Sequence, residues 1–423
     1  MSNEVFSQKP SVKESESNLH GKQSCLIRVI FWIGRIIVSV TVLVLFVVAV
    51  LWIRHSQKTV LPIPTGRYAV GRSEFDWIDS NRLDPFSKLQ ENHRELMVWV
   101  WYPADSIPEG TNTVEYLPAR WRQAREDQMG LAGKFLAQNL STILDHAYQG
   151  VLVSRGESSY PVIIMQPGLG PLASDYTTIA EDLASHGYIV FASTPTYSSS
   201  VVVFHDGRIV LGSDDANISD QMAADEAQEK LDRLVEIWAQ DNVFIMDQVE
   251  KLNTSDSGGI FRGKLNLEAV GTLGHSFGGA SALQTCSIDS RCKAGVDLDG
   301  TIYGDVVKTG TAQPFLFLWS ETSNDAPTVL AMNEFAEVSK NKIYQFNIKG
   351  MQHFNFSDYG VEYQPVLRLM GVLGSIDGQR GLQITSAYIT AFFDFELKKT
   401  GVSFPNNLVD QYPEVKVGLP NSR

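Results

Sequence analysis

The sharpest feature of the hydrophobic pattern lies between Ile36 and Ile53, where 18 consecutive residues carry no charge and only Ser39 and Thr41 are polar. As a helix such a run extends about 27 Å, close to the hydrocarbon thickness of a bilayer. Trp32 and Trp52 stand at its two ends, and Arg28, Arg35 and Arg54 lie where long side chains reach headgroups. The segment is apolar all round, with no neighbouring pattern that would bury it, so residues 25–55 are expected to form a membrane anchor and not a core helix. The long preceding tail and the lack of a small-x-small cleavage pattern argue against a signal peptide. Residues 1–24, rich in Ser, Lys, Glu and Asn without apolar periodicity, are expected to be a disordered tail. Lys9, Lys13, Lys22, Arg28 and Arg35 before the span narrowly outnumber Arg54, Lys58, Arg67 and Arg72 after it, which orients the N-terminus to the cytoplasm and the remainder to the opposite side.

From Leu61 the pattern changes to short apolar runs separated by turn residues and by longer amphipathic stretches. Glu95–Tyr102, Tyr160–Met165, Tyr188–Ala192, Ala269–Leu273, Ala294–Leu298, Pro314–Trp319 and Ile343–Ile348 have strand character. Helices are expected over Ser174–Gly187, from Gly278 onward, and over Ala387–Lys399. Within Asp214–Asn253, Leu231, Leu234, Ile237 and Trp238 recur at helical spacing, the signature of a helix packed on a core and not of a lid. Strands alternating with helices imply parallel pairing through right-handed crossovers, hence an α/β fold with a doubly wound, mostly parallel sheet over residues 61–401 and a C-terminal tail over 402–423.

Composition narrows the chemistry. A 43% hydrophobic content supports a sizeable core, and 48 acidic against 35 basic residues give a formal charge of −13 that repels nucleic-acid phosphates. Cys25, Cys286 and Cys292 are too few for a disulfide framework and match no metal-binding spacing. Cys286 and Cys292 are expected to be reduced, partly buried thiols, with pairing as the alternative in an oxidising compartment. Neither a metal nor an organic cofactor is implied.

The catalytic signal is GHSFGG, in which Gly274, Ser276 and Gly278 follow an apolar strand and open a helix of small residues. That context makes Ser276 the candidate nucleophile, held on a sharp strand-to-helix turn. Serine needs a base to accept its proton and an acid to orient that base, and in this fold they follow it in the order acid, histidine. Of the eight histidines only His353 lies beyond Ser276. Asp297, Asp299 and Glu321 all stand at strand ends; Asp299 is favoured because Gly300 permits a tight turn off the strand, with Glu321 the alternative. Two backbone N–H groups must stabilise the developing oxyanion. Phe277 supplies one and the PGLG turn the other, with Leu169 chosen over Gly168.

TGRYAVG, ELMVWVWYPA, PVIIMQPGLGPLASDY, EDLASHGYIV, GHSFGG, CKAGVDLDG and GMQHFNF occur in that order between Thr65 and Gly401. Together they resemble the platelet-activating factor acetylhydrolase family, in its plasma-type and bacterial and fungal branches. The resemblance implies a triad of Ser276, Asp299 and His353, oxyanion amides at Leu169 and Phe277, and calcium-independent removal of short or oxidised acyl groups from phospholipids. Many members carry His-Gly where this chain has Pro167-Gly168, and the plasma-type enzymes are secreted and lack the anchor. The expected activity is therefore that of a serine carboxylic ester hydrolase acting on a small ester or phospholipid, attached to a membrane by its N-terminal helix. A broad short-chain carboxylesterase or polyester hydrolase is the alternative. A membrane-anchored binding protein without catalysis is the alternative of another class, opposed by the intact Ser276 and His353.

Overall fold

The computed structural model describes residues 12–89, 91–105, 107–136, 139–219, 221–255, 258–362, 366–405 and 408–419. The chain divides into two compact units, Met1–Gln57 and Lys58–Arg423. The first is built on helix α1 (Val12–His55), of which Arg28–Ile53 is long and apolar enough to cross a membrane. The helix begins inside the segment expected to be disordered, so residues 12–24 are helical; residues 1–11 lie outside the described residues. Extending a helix already nucleated by an apolar run adds one hydrogen bond per residue fixed, and Glu, Lys and Gln do not oppose it.

Among the described residues, the second unit is organised on one twelve-stranded sheet. Its strands are β1 (Thr59–Val60), β2 (Ala69–Leu83), β3 (His93–Ala104), β4 (Thr113–Glu115), β5 (Ile143–Gln149), β6 (Tyr160–Gln166) and β7 (Ile189–Thr194), then, beyond a separate hairpin of β8 (Val201–Val203) and β9 (Ile209–Leu211), β10 (Leu265–His275), β11 (Cys292–Leu298), β12 (Phe315–Ser320), β13 (Ile343–Ile348) and β14 (Val415–Val417). The order is β1-β5-β2-β3-β7-β6-β10-β11-β12-β13-β14, with β4 paired to β5. Pairing is parallel from β7 through β13, and β3 runs antiparallel to both its neighbours. Every residue of β6, β7 and β12 is buried, the expected state of central strands covered on both faces.

The tail expected over 402–423 is not separate. Phe404, Leu408, Tyr412 and Val415 are buried, and Val415–Val417 pairs antiparallel with Phe346–Ile348. A three-residue strand is too short to stand out in a hydropathy pattern and gains its place only from the open edge of β13.

The remaining labelled helices are α2 (Ala119–Leu136), α3 (Thr177–Ser185), α4 (Ala224–Ser255) and α5 (Phe277–Ile288). One face of the sheet packs against α3 and the helix Gly378–Glu396, whose Ile179, Leu183, Ile389 and Phe393 join one core. The other face packs against α4 and α5 through Ile245, Val249, Ala282 and Leu283. Two covered faces make the sheet doubly wound. Within α4, Leu231, Leu234 and Trp238 are buried as the spacing predicts, and Ile237 is half-buried. Cys286 and Cys292 are joined in a disulfide, the alternative to the expected reduced thiols. The end of α5 and the start of β11 bring the two Cα atoms to 5.1 Å, within disulfide reach.

A buried ion pair fastens α4 to the sheet. Arg94, on β3, donates to Asp241 Oδ2 at 2.7 Å, to Asp84 Oδ2 at 3.1 Å and to the Thr196 carbonyl at 3.0 Å. Arg94 and Asp241 are fully buried, and burial resisted by these two carboxylates leaves the guanidinium more firmly protonated than usual. Breaking such a pair strands a charge away from water. Asp241→Ala is expected to destabilise the protein by about 3–5 kcal/mol, read as a lower urea midpoint.

Candidate active site

β10 ends at His275 and α5 begins at Phe277, so Ser276 alone makes the reversal, with φ 56° and ψ −124°. A residue with a Cβ in this region stores roughly 1–3 kcal/mol of strain, which the surroundings must hold in place. Ser276 N donates to Leu298 O at 2.8 Å, tying the turn to the end of β11. A Cβ on Gly274 would lie 2.1 Å from the Gly278 carbonyl carbon, and one on Gly278 would lie 2.3 Å from Pro167 O. These two positions therefore need glycine because strand, helix and PGLG turn meet there without room for a side chain.

His353 opens a short turn of 3₁₀ helix, His353–Phe356, beyond β13. Its Nε2 lies 2.9 Å from Ser276 Oγ and its Nδ1 lies 2.8 Å from Asp299 Oδ2. The Asp299 side chain is 1% exposed, while that of His353 is 40% exposed. Burial alone would raise the Asp299 carboxyl, but the hydrogen bond and charge of His353, with donors Ser320 N and Ser323 Oγ, hold it below its ordinary value. An ionised carboxylate only accepts, so Nδ1 carries the proton in neutral His353 and Nε2 is left to accept from the Ser276 hydroxyl. Hydroxyl, imidazole and carboxylate thus stand in an order able to move a proton away from Ser276.

The other acids stand elsewhere. Asp297 is fully buried beneath the elbow, accepting from Gly300 N at 2.7 Å, and burial pushes its carboxyl well above the ordinary range. Glu321 is exposed and accepts from Gly350 N at 2.9 Å, capping a turn of the loop that carries His353. In the PGLG turn, Gly168 N donates to Tyr176 Oη at 3.1 Å, whereas Leu169 N and Phe277 N meet no acceptor among the described residues. Trp238 on α4 packs edge-on against Phe277 at 4.9 Å, and Leu169 and Tyr303 lean on the same cluster.

Two features of this region depend on burial that the sequence pattern alone does not carry. Asn355 occupies a glycosylation sequon, as do Asn139, Asn217 and Asn253, yet it is fully buried. Its Oδ1 accepts from Gln352 N at 2.9 Å and Gly374 N at 2.7 Å, shaping the His353 turn, and a glycan there is incompatible with this packing. The second feature is His275, set aside by chain order as a base but buried between the elbow and the histidine turn.

Fold and site together define a serine ester hydrolase of the α/β-hydrolase fold. The family model described as platelet-activating factor acetylhydrolase, isoform II, matches residues 53–412. The chain belongs to that family and is a carboxylic ester hydrolase. It is 26% identical over 383 residues to a probable 1-alkyl-2-acetylglycerophosphocholine esterase of Arthroderma benhamiae, covering 84% of this chain and 92% of that one. It is 26% identical to the platelet-activating factor acetylhydrolase of Bos taurus, covering 80% of this chain and 77% of that one. Among solved structures, a ferulic acid esterase from Streptomyces cinnamoneus superposes with a TM-score of 0.69 at 24% identity, covering 85% and 99% of the two chains, a likeness of fold.

Below the His353 turn lies a buried acidic cluster. Tyr116 Oη donates to Glu362, and Arg125 Nη1 donates to Asp175 Oδ1 at 2.6 Å. Burial, reinforced by the charge of Asp175, pushes the Glu362 carboxyl up to about 8. Between about pH 4.3, the ordinary glutamate value, and that raised value the unfolded chain has released a proton the folded chain keeps, so stability falls as pH rises. Glu362→Gln is expected to make this decline shallower by up to about 1.4 kcal/mol per pH unit, measured by urea unfolding across that window.

Proposed function

We propose that Ser276 Oγ attacks an ester carbonyl while His353 Nε2 takes its proton and Asp299 orients and stabilises the imidazolium. The serine oxygen–carbon bond forms, the carbonyl electrons move to oxygen, and the N–H groups of Leu169 and Phe277 receive that charge. Collapse expels the alcohol with the proton from His353, leaving an acyl-enzyme. Water then attacks, giving its proton to His353, and the acid leaves as Ser276 regains its hydrogen. The observation that carries this reading is the unbroken relay of 2.9 and 2.8 Å from Ser276 through His353 to Asp299.

The substrate class we infer is a phospholipid-like ester with a short acyl group. Family membership and the names of the Arthroderma and Bos taurus relatives support it. Helix α1 serves in this reading as a single-pass anchor with the catalytic unit on the non-cytoplasmic side. The Cys286–Cys292 disulfide supports that side, since disulfides persist in oxidising compartments.

A fluorophosphonate is expected to label the wild type and not Ser276→Ala, which loses roughly 10⁶-fold in kcat; labelling retained in that variant overturns the assignment. Asp299→Asn is expected to lower kcat by about 10⁴-fold with Glu321→Gln near wild type, and the reverse pattern reassigns the acid. Glycerophospholipids differing only in acyl length test the substrate class. Acetyl esters should turn over fastest; hydrolysis of soluble short esters with none of the acetylated phospholipid would make the protein a general carboxylesterase.

A further inference from the structure

We propose that His275 is a positioning residue that locks the His353 turn to the Gly168–Leu169 turn, so that the base and the oxyanion amides are set at one distance from Ser276. The inference rests on the reading of Ser276 and His353 given above. His275 has 1% exposure and makes two polar contacts, one at each ring nitrogen. Nε2 lies 2.8 Å from the backbone carbonyl of His353, and Nδ1 lies 2.7 Å from Tyr176 Oη.

The proton positions follow by elimination. A carbonyl only accepts, so Nε2 carries hydrogen and donates. The ring is neutral, because burial, with His353 beside it, depresses its basicity to about 3. Nδ1 is therefore bare, and Tyr176 must donate to it. Tyr176 Oη in turn accepts from Gly168 N at 3.1 Å. Every donor in this chain points one way, from the Gly168 amide through Tyr176 and His275 to the His353 carbonyl.

Two consequences bear on catalysis. Gly168 N–H is taken by Tyr176, whereas Leu169 N meets no acceptor among the described residues, which favours Leu169 over Gly168 for the oxyanion role proposed above. The base is held by its own main chain while its ring stays free to exchange protons with Ser276. The His275 and His353 rings lie 4.6 Å apart, so a cationic His275 would oppose the imidazolium that forms on His353 during the reaction. Imidazole suits the position because a rigid ring presents an acceptor on one edge and a donor on the other. A histidine merely filling core space would need neither partner at these two turns.

The test uses the full chain in detergent, with a soluble acetyl ester as substrate and fluorophosphonate titration to count competent sites. Per titrated site, His275→Phe is expected to lower kcat by about 10–100-fold with little change in KM, the signature of misplaced reacting groups. His275→Gln, whose amide can still donate towards the His353 carbonyl, should recover part of the loss. Tyr176→Phe should lower kcat alone but cost nothing further when added to His275→Phe, because the two act as one unit. Unchanged kcat per titrated site in His275→Phe, whatever its thermal stability, overturns the proposal, as do losses in the two single variants that multiply. If His275→Phe does not fold, Tyr176→Phe decides, since it removes one oxygen: a fall in kcat at constant KM supports the relay and wild-type kcat overturns it. Failure of the underlying reading shows separately, as wild-type protein that takes up no fluorophosphonate.

Discussion

The left-handed backbone at Ser276 is the constraint on which the site depends. A serine with φ 56° is not stable by local preference, so the chain around it has to make every other conformation worse. It does so by removing side chains. Gly274 and Gly278 let strand, helix and PGLG turn converge, and Gly279 and Gly300 leave space for the buried Asp297 carboxyl, which would lie 2.1 and 2.5 Å from a Cβ at those positions. Geometry that is costly for one residue becomes the arrangement shared by three segments.

Around that elbow the electrostatics divide the acids by environment. Asp299 and Asp297 are two residues apart, both buried, and are driven in opposite directions: two donors and the imidazole hold the Asp299 carboxyl below its ordinary value, while a single amide among the described residues leaves that of Asp297 well above it. The direction of each shift follows from the count of donors, not from depth. The same logic reaches the cluster beneath the His353 turn, where Glu362 has too few donors for its burial.

Much of this was legible in the sequence. The strands from Tyr160 to Ile348 announced themselves because central parallel strands are apolar on both faces, and GHSFGG with one later histidine named two members of the relay. Gly300, with Asp297 still inside the apolar strand pattern, favoured Asp299 over Asp297. What stayed hidden depends on neighbours distant in the chain. His275 was set aside by chain order, and its worth lies in Tyr176 and the His353 carbonyl, 99 and 78 residues away. The Arg94–Asp241 pair spans 147 residues, and β14 exists only because β13 offers it an edge. The sequon at Asn355 is read from three adjacent residues, and only the fold shows that its side chain is buried.

That last strand bears on how copies of the protein behave towards one another. β14 covers the exposed hydrogen-bonding groups of β13, and the opposite side of the sheet finishes on the two-residue β1. Short terminal strands give a neighbouring sheet little to pair with. Capped by so short a strand on one side and ending on so short a strand on the other, the sheet leaves a second copy little edge to pair with.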